Sequence, residues 1–300
     1  MSEIFIHIGF PKCASSFLQE NLFSVSEGIN YIGKNNTGFF DRFKDDEYDI
    51  SLLKGMVPDN DLPTVISSEG LVGIAGLGLK KQREVFAKRL YRLFPSAKIL
   101  IVVRRQESVL ESLISEWMVH GQTGRYDVNT LFEKIYRDED YSGLDYFGLE
   151  YFNYKELFSL YCDLFGHKQI KVYLFEEFVQ KNNDFMDRIS EDIGIDSMAL
   201  SNFSASRRKL SPVSYFFVRH LNKFRRGIYN SDGLFDYESY FNVFVMKFIS
   251  LIERFYYSIF KNKRHVFLSE KNIAEIRKYY MSTNIDFAKD IGRDLKPYGY

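Results

Sequence analysis

Four short apolar runs, each set beside a stretch of helical periodicity, leave this chain few folds. Ile4, Ile6 and Ile8 alternate with Phe5 and His7 at strand period, and Thr64–Ser68, Lys98–Val103 and 170–175 follow as runs of strand length. Phe17, Leu18 and Leu22 recur at helical spacing after the first run, and Val85, Phe86, Leu90, Leu93 and Phe94 make the apolar face of a basic helix that stops at Pro95. Strands that alternate with helices imply βαβ crossovers and a parallel sheet covered on both faces. The expected fold is therefore α/β, a P-loop-like three-layer α/β/α arrangement around a central parallel sheet. Beyond Phe175 the pattern is helical almost throughout. The expected organisation is one domain over residues 1–300, with an α/β core over 1–200 and a helical portion over 201–300 packed on it.

Composition narrows the class of function. A chain of 300 residues with 45% hydrophobic content buries a sizeable core, and two tightly separated domains are not expected. Lys plus Arg and Asp plus Glu are both 40, so the global charge points to neither nucleic acid nor another polyanion, and any anion site must be local. Cys13 and Cys162 are too few for a disulfide scaffold, and the chain opens on a strand rather than a signal peptide, so a cytoplasmic protein is expected. The apolar stretch 240–260 is interrupted by Lys247, Glu253 and Arg254, which argues for a helix packed on the main body and against a membrane span. Most of the 29 Phe and 21 Tyr are expected to fill the core. Residues 28–63 read as an irregular excursion with one short helix flanking the site. Residues 121–148, polar and glycine-bearing, read equally as a lid, an acceptor-binding element or an ordinary surface insertion.

In open parallel sheets ligands bind beyond the carboxyl ends of the strands. Three polar clusters fall at such ends: Gly9-Phe10-Pro11-Lys12-Cys13-Ala14-Ser15-Ser16, then Ser67-Ser68-Glu69-Gly70, then Arg104-Arg105. Their chemistry is complementary. The first is a glycine turn with a lysine and two hydroxyls between a strand and a helix, where unpaired backbone N–H groups and the helix dipole favour an anion. The second offers a carboxylate and the third guanidinium groups.

The phosphate loop of ATPases and GTPases reads G-x-x-x-x-G-K-[ST], with the lysine adjacent to a magnesium-binding hydroxyl. This chain does not match it: Lys12 precedes most of the turn, and no apolar strand ends in a metal-holding Asp. The socket reads as one for an anion without a metal.

Pro11-Lys12-Cys13-Ala14-Ser15-Ser16-Phe17-Leu18 resembles the PKSGTTxL phosphosulfate loop of the sulfotransferases that use 3′-phosphoadenosine 5′-phosphosulfate (PAPS). Ile99-Leu100-Ile101-Val102-Val103-Arg104, with Ser112 eight residues after the arginine, resembles the family's second signature, in which a strand ending in Arg and a following Ser hold the 3′-phosphate. Ser67-Ser68-Glu69-Gly70 resembles the strand end where carbohydrate-type members place a carboxylate base. Softer matches are 172–178 with its acidic Glu176-Glu177 pair, and Asn202-Phe203-Ser204. The resemblance implies PAPS as sulfuryl donor and PAP as product, with no metal. It implies cofactor contacts from Lys12, Cys13, Ala14, Ser15, Ser16, Phe17, Arg104 and Ser112, and catalysis by Lys12 and Glu69, with His120 as the rival base.

Two departures stand out. Ala14 replaces the family's glycine, which is expected to be tolerable only if φ stays negative there, and Gln106 stands where a proline often follows the arginine. Ser15 and Ser16 are expected to cap the helix as well as meet phosphate. His7 is expected to be a hydrogen-bonded core histidine, and Arg105 a solvated or acid-paired neighbour of Arg104. Cys13 sits where a helix N-terminus would lower a thiol pKa, but a backbone role is expected for it. Arg207-Arg208-Lys209 reads as a solvated helix start rather than a closure over cofactor phosphates.

The implied reaction is in-line sulfuryl transfer to an acceptor hydroxyl, with a carbohydrate preferred on the Glu69 pattern. Two rival functions remain at this point: a P-loop kinase or nucleotide hydrolase, and a non-catalytic scaffold that keeps the fold and binds a partner through its aromatic helical half.

Overall fold

The computed structural model describes residues 2–33, 36–73, 79–124, 126–137, 149–195, 210–227, 230–236, 239–260 and 265–300. Five strands, β1 (Ile4–Ile8), β2 (Asn30–Ile32), β3 (Thr64–Ser68), β4 (Lys98–Val103) and β5 (Ile170–Leu174), form one parallel sheet in the order β2-β3-β1-β4-β5. The fold is α/β around a central parallel sheet, as the alternating pattern requires. β1 is the switch point. It pairs with β3 on one side (Ile8 opposite Ser68) and with β4 on the other (Ile6 opposite Ile99), so the chain leaves β3 and crosses β1 to begin β4. The carboxyl ends of β1, β3 and β4 therefore lie side by side.

β4 is apolar over Ile99–Val103 rather than alternating because both its faces are covered. Phe5, Ile6, Val65, Ile66, Ile99, Val102 and Val103 are all fully buried. Burying each such side chain stabilises the fold by about 1.5–3 kcal/mol before conformational entropy is charged against it. Residues 28–63 are more regular than the sequence suggests. They hold the edge strand β2 and two helices, α2 (Thr37–Lys44) and α3 (Ile50–Gly55). β2 is three residues long and is fixed from outside its own pattern, by Asn30 N–H donating to Pro63 O at 2.8 Å and the Asn30 amide donating to Asn60 at 2.7 Å.

The remaining helices are α1 (Ser15–Leu18), α4 (Leu79–Leu93), α5 (Gln106–Val119), α6 (Val128–Arg137), α7 (Tyr154–Phe165), α8 (Phe175–Gln180), α9 (Asn182–Ile193), α10 (Pro212–Leu221), α11 (Tyr240–Ile259) and α12 (Glu270–Asp290). α4 buries Phe86, Leu90 and Leu93 at helical spacing and ends before Pro95. α7 starts on Asn153, whose side chain accepts from Glu156 N–H at 3.2 Å, buries Tyr154, Leu157, Phe158, Tyr161 and Phe165, and stops at Gly166 with φ 83°.

The chain divides into two compact units. The first gathers 1–105, 142–201 and 280–300 and contains the whole sheet; the second gathers 106–141 and 202–279. Within the second unit the organising group is Arg225, only 2% exposed. Its guanidinium donates to Val119 O and Asn222 Oδ1, each at 2.9 Å, and to Asn242 Oδ1. Gly121 lies so close that a Cβ there would come within 2.6 Å of Arg225 Nε. A buried arginine of this kind needs all its donors satisfied, and the fork geometry allows it.

Candidate functional site

The loop from β1 to α1 is pinned from beneath. Phe10 is fully buried, with its ring 5.0 Å from Tyr154, 5.8 Å from Tyr151 and 5.8 Å from Phe152. Gly9 has no alternative at its position: a Cβ would fall 2.3 Å from Ser15 Oγ, which folds back to donate to Phe10 O at 3.2 Å. The chain thus doubles over itself within seven residues.

Two residues of that loop, Lys12 (φ 62°) and Ala14 (φ 65°), adopt the left-handed conformation, and no other non-glycine residue among those described does. The condition set for an alanine at position 14, a negative φ, is therefore not met. An alanine accepts this conformation at a cost of about 1–2 kcal/mol, and packing around the loop sustains it. Left-handed residues interleaved along a short loop turn successive N–H groups toward one side, the geometry of an anion nest. The capping expectation also fails: the N-cap position of α1 is Ala14, and Ser15 spends its hydroxyl on Phe10 O. After four α-helical residues the helix widens to a π turn over Gln19–Phe23, a bulge that is frequent at functional sites.

Arg104, at the carboxyl end of β4, is 8% exposed and donates through Nη1 to Lys12 O at 2.8 Å. Its guanidinium lies 4.4 Å over the Phe175 ring, and its own backbone is held by the Tyr154 hydroxyl, which donates to Arg104 O at 2.5 Å. The neighbouring Arg105 turns to Glu176: Arg105 N–H donates to Glu176 Oε1 at 3.1 Å, and the side chains approach to 3.7 Å. Tyr300 donates to the other oxygen of Glu176 at 2.8 Å. Burial raises the Glu176 pKa, and these donors act against that rise.

Glu69 opens the tight 3₁₀ turn after β3, where Ser68 Oγ accepts from Gly70 N–H at 3.3 Å. That turn is locked by Arg83, a buried residue of α4 that donates to Val72 O at 2.7 Å and to Tyr151 O at 2.5 Å while lying 4.8 Å over the Tyr151 ring. Cys13 reports how these charges gather. Its thiol is fully buried, burial drives its pKa far up, and Arg104, Glu176 and Glu69 all act on it electrostatically, Arg104 alone in the lowering direction. The thiolate that a helix terminus would have favoured is excluded. The structure thus brings Lys12, Cys13, Ala14, Ser15, Ser16, Glu69 and Arg104 to adjacent strand ends. Phe17 packs its ring 4.7 Å from Phe178. Ser112, half-buried on α5, and His120, just past its end, belong to the second unit.

His7 sits below the loop, fully buried, with Nδ1 2.8 Å from Ser67 Oγ, which also accepts from Gln19 Nε2 at 3.0 Å. Burial lowers its pKa to about 4, so the ring is neutral at pH 7. Asn202-Phe203-Ser204 and Arg207-Arg208-Lys209 lie outside the described residues, as do 138–148 of the glycine-bearing segment.

Sequence reasoning missed four contributors: Arg83, Tyr154, Phe175 and Tyr300. Only Phe175-Glu176 carried a signal, in the resemblance of the late strand; the others act through tertiary contacts that no local pattern encodes.

No protein-family model and no curated protein matches the sequence. Solved structures do match. A sulfotransferase from Alicyclobacillus acidocaldarius superposes with a TM-score of 0.50 at 20% identity, over 74% of this chain and 94% of that one. Mouse sulfotransferase SULT7A1 complexed with PAP gives a TM-score of 0.46 at 14% identity, over 99% of this chain and 88% of that one. The sulfotransferase domain from the curacin biosynthetic pathway gives 0.37 at 14% identity, over 66% and 75%. The chain has the sulfotransferase fold.

Proposed function

We propose that this protein is a PAPS-dependent sulfotransferase that sulfates an acceptor hydroxyl, with a carbohydrate as the preferred acceptor class. One observation carries the reading: at the switch point of a sulfotransferase fold, a loop with left-handed residues at Lys12 and Ala14 is tied by its Lys12 carbonyl to the Arg104 guanidinium. The donor set suits a phosphosulfate: it comprises the loop amides, the Lys12 ammonium, the Ser16 hydroxyl and the Arg104 guanidinium.

PAPS, when bound, supplies the sulfuryl group and leaves as PAP. The protein's part is positioning and charge. The backbone amides of Cys13–Phe17, Ser15 among them, and the Ser16 hydroxyl hold the 5′-phosphate end. Arg104 holds the 3′-phosphate, and Ser112 is assigned to the same phosphate on its spacing in the sequence. Lys12 places its ammonium where negative charge builds on the bridging oxygen, and Glu69 takes the proton of the acceptor hydroxyl. The carbohydrate preference rests on the likeness of the Glu69 turn to carbohydrate-type enzymes.

Calorimetric titration tests the cofactor class. PAP should bind without added metal, and ATP with magnesium should not compete; the reverse order of affinity would point to a kinase or hydrolase. Lys12→Ala should lower sulfuryl transfer at least about a hundredfold with an unchanged circular dichroism spectrum, and an unaltered rate would remove Lys12 from the mechanism.

A further inference from the structure

α11 carries large apolar residues on opposite sides. Its inner residues Val245, Ile249 and Tyr257 are buried, yet Tyr240, Val243, Phe244, Leu251, Phe255 and Ile259 are exposed, Tyr240 at 95% and Phe255 at 69%. At helical spacing these six fall on one face. A helix apolar on opposite sides is ordinarily enclosed by protein or lipid. The exposed face also continues onto α10 through touching rings: Phe244 to Phe248 at 6.1 Å, Phe248 to Phe217 at 5.4 Å, and Phe217 to Phe216 at 5.7 Å, with Phe216 58% exposed. The helix expected over 240–260 is present, buried on one side and exposed on the other.

The charges on this face have one sign. Lys247 and Arg254 are exposed among the apolar residues, whereas the only carboxylate of α11, Glu253, accepts from Ser211 N–H at 2.8 Å on the α10 side. Lys223, exposed just past α10, adds a further cation. From residue 212 to 264 the sequence carries nine Lys or Arg (219, 223, 225, 226, 247, 254, 261, 263, 264) against four Asp or Glu (232, 236, 238, 253), in a chain whose overall charge is zero. Of these cations Arg225 is buried and Arg219 and Arg226 are paired with Asp127 and Asp236, so among the described residues Lys223, Lys247 and Arg254 are the exposed charges beside the aromatic face.

We propose that the α10–α11 face docks on the surface of an anionic lipid bilayer. Phenylalanine, leucine and isoleucine side chains enter the headgroup boundary, and Lys247 and Arg254 extend their stems to lipid phosphates. Among the described residues no helix is long and apolar enough to cross a membrane, so α11 lies in the interface plane rather than spanning it. A second copy of the chain fits this face poorly. Two α11 helices packed antiparallel about their middles would set Lys247 and Arg254 against the same cations of the copy, a like-charge contact that an anionic surface turns into attraction.

Vesicle flotation of the full chain tests this, using phosphatidylcholine alone and an equal mixture of phosphatidylcholine and phosphatidylserine. The protein should float with the mixed vesicles, weakly with the neutral ones, and less as salt rises. The double variant Lys247→Glu, Arg254→Glu should lose affinity for mixed vesicles about tenfold or more. Phe244→Ser, Leu251→Ser, Phe255→Ser should lose binding to both. All five positions are exposed, so urea midpoints should stay near wild type, and PAP titrations on the same variants keep this result separate from the proposed activity. Absence of flotation, or equal flotation by wild type and both variants, would overturn the proposal. So would a wild-type dimer in light scattering that the serine variant dissociates without any vesicle binding, which would assign the face to a second copy.

Discussion

The Arg104 guanidinium reaches across from β4 to the carbonyl of Lys12 at 2.8 Å, so the residue assigned to one end of the donor nucleotide also sets the backbone of the residue assigned to the other. This coupling separates charge from geometry. Arg104→Lys keeps the charge but gives up the fork. It should weaken PAP binding about tenfold, and Arg104→Ala about a hundredfold, by calorimetry. Equal affinities for the two variants would mean that charge alone is read there.

Ala14 stores strain that a glycine would release. Ala14→Gly should raise stability by about 0.5–1 kcal/mol in urea titrations, the left-handed penalty less the extra chain entropy of glycine. Ala14→Val should lower it, since a β-branched side chain resists positive φ more strongly. A glycine variant less stable than wild type would show that the methyl group packs favourably enough to offset its conformation.

His7 makes stability fall with acid. Its folded pKa of about 4 lies below the ordinary histidine value of 6.5, so below pH 6.5 the unfolded chain takes up a proton that the folded chain refuses. Stability contributed by the neutral ring is complete above pH 6.5, declines as pH falls toward 4, and the loss approaches about 3 kcal/mol at the low end. His7→Gln should flatten the difference in urea midpoint between pH 7 and 5 relative to wild type. An identical slope in both proteins would place the acid sensitivity elsewhere.

The tail 296–300 bears on the same strand ends. Tyr298 donates to Glu177 Oε1 at 3.0 Å and Tyr300 to Glu176 Oε2 at 2.8 Å, while Gly299, at φ 84°, passes so near Arg105 that a Cβ would meet its guanidinium at 3.1 Å. Tyr300→Phe should cost about 1–3 kcal/mol, because the hydroxyl serves a buried carboxylate. In a Glu176→Gln background the same change should cost less. An unchanged cost would show that the ring, not the hydroxyl, carries the contact.

A short run rich in β-branched and aromatic residues marks a strand by composition, and β1, β3, β4 and β5 were legible for that reason. β2 was not, because Asn30-Tyr31-Ile32 owes its pairing to Pro63 and Asn60 rather than to any pattern of its own. The loop could be located from Lys12 and its hydroxyls, yet its conformation could not: nothing in the letters Cys13-Ala14 announces a left-handed alanine. The loop that carries it is held by tertiary contacts, Phe10 packed on Tyr154 and Arg104 bonded to the Lys12 carbonyl. Arg83 looked like one more cation on a basic helix, and only folding shows it spanning Val72 and Tyr151. The lone exposed face of α11 was hidden for the opposite reason, since an apolar helix reads as core whichever way it points.

The first unit is stitched from three separated stretches of chain, and the Tyr300–Glu176 bond closes a loop of 124 residues. Closing loops of that length carries an entropic toll and slows folding. During synthesis from the N-terminus the sheet is available early, but Glu176 waits for its phenol partner until residue 300 has been made. The contact of Glu176, just past the carboxyl end of β5, is therefore made only after every strand of the sheet has been synthesised.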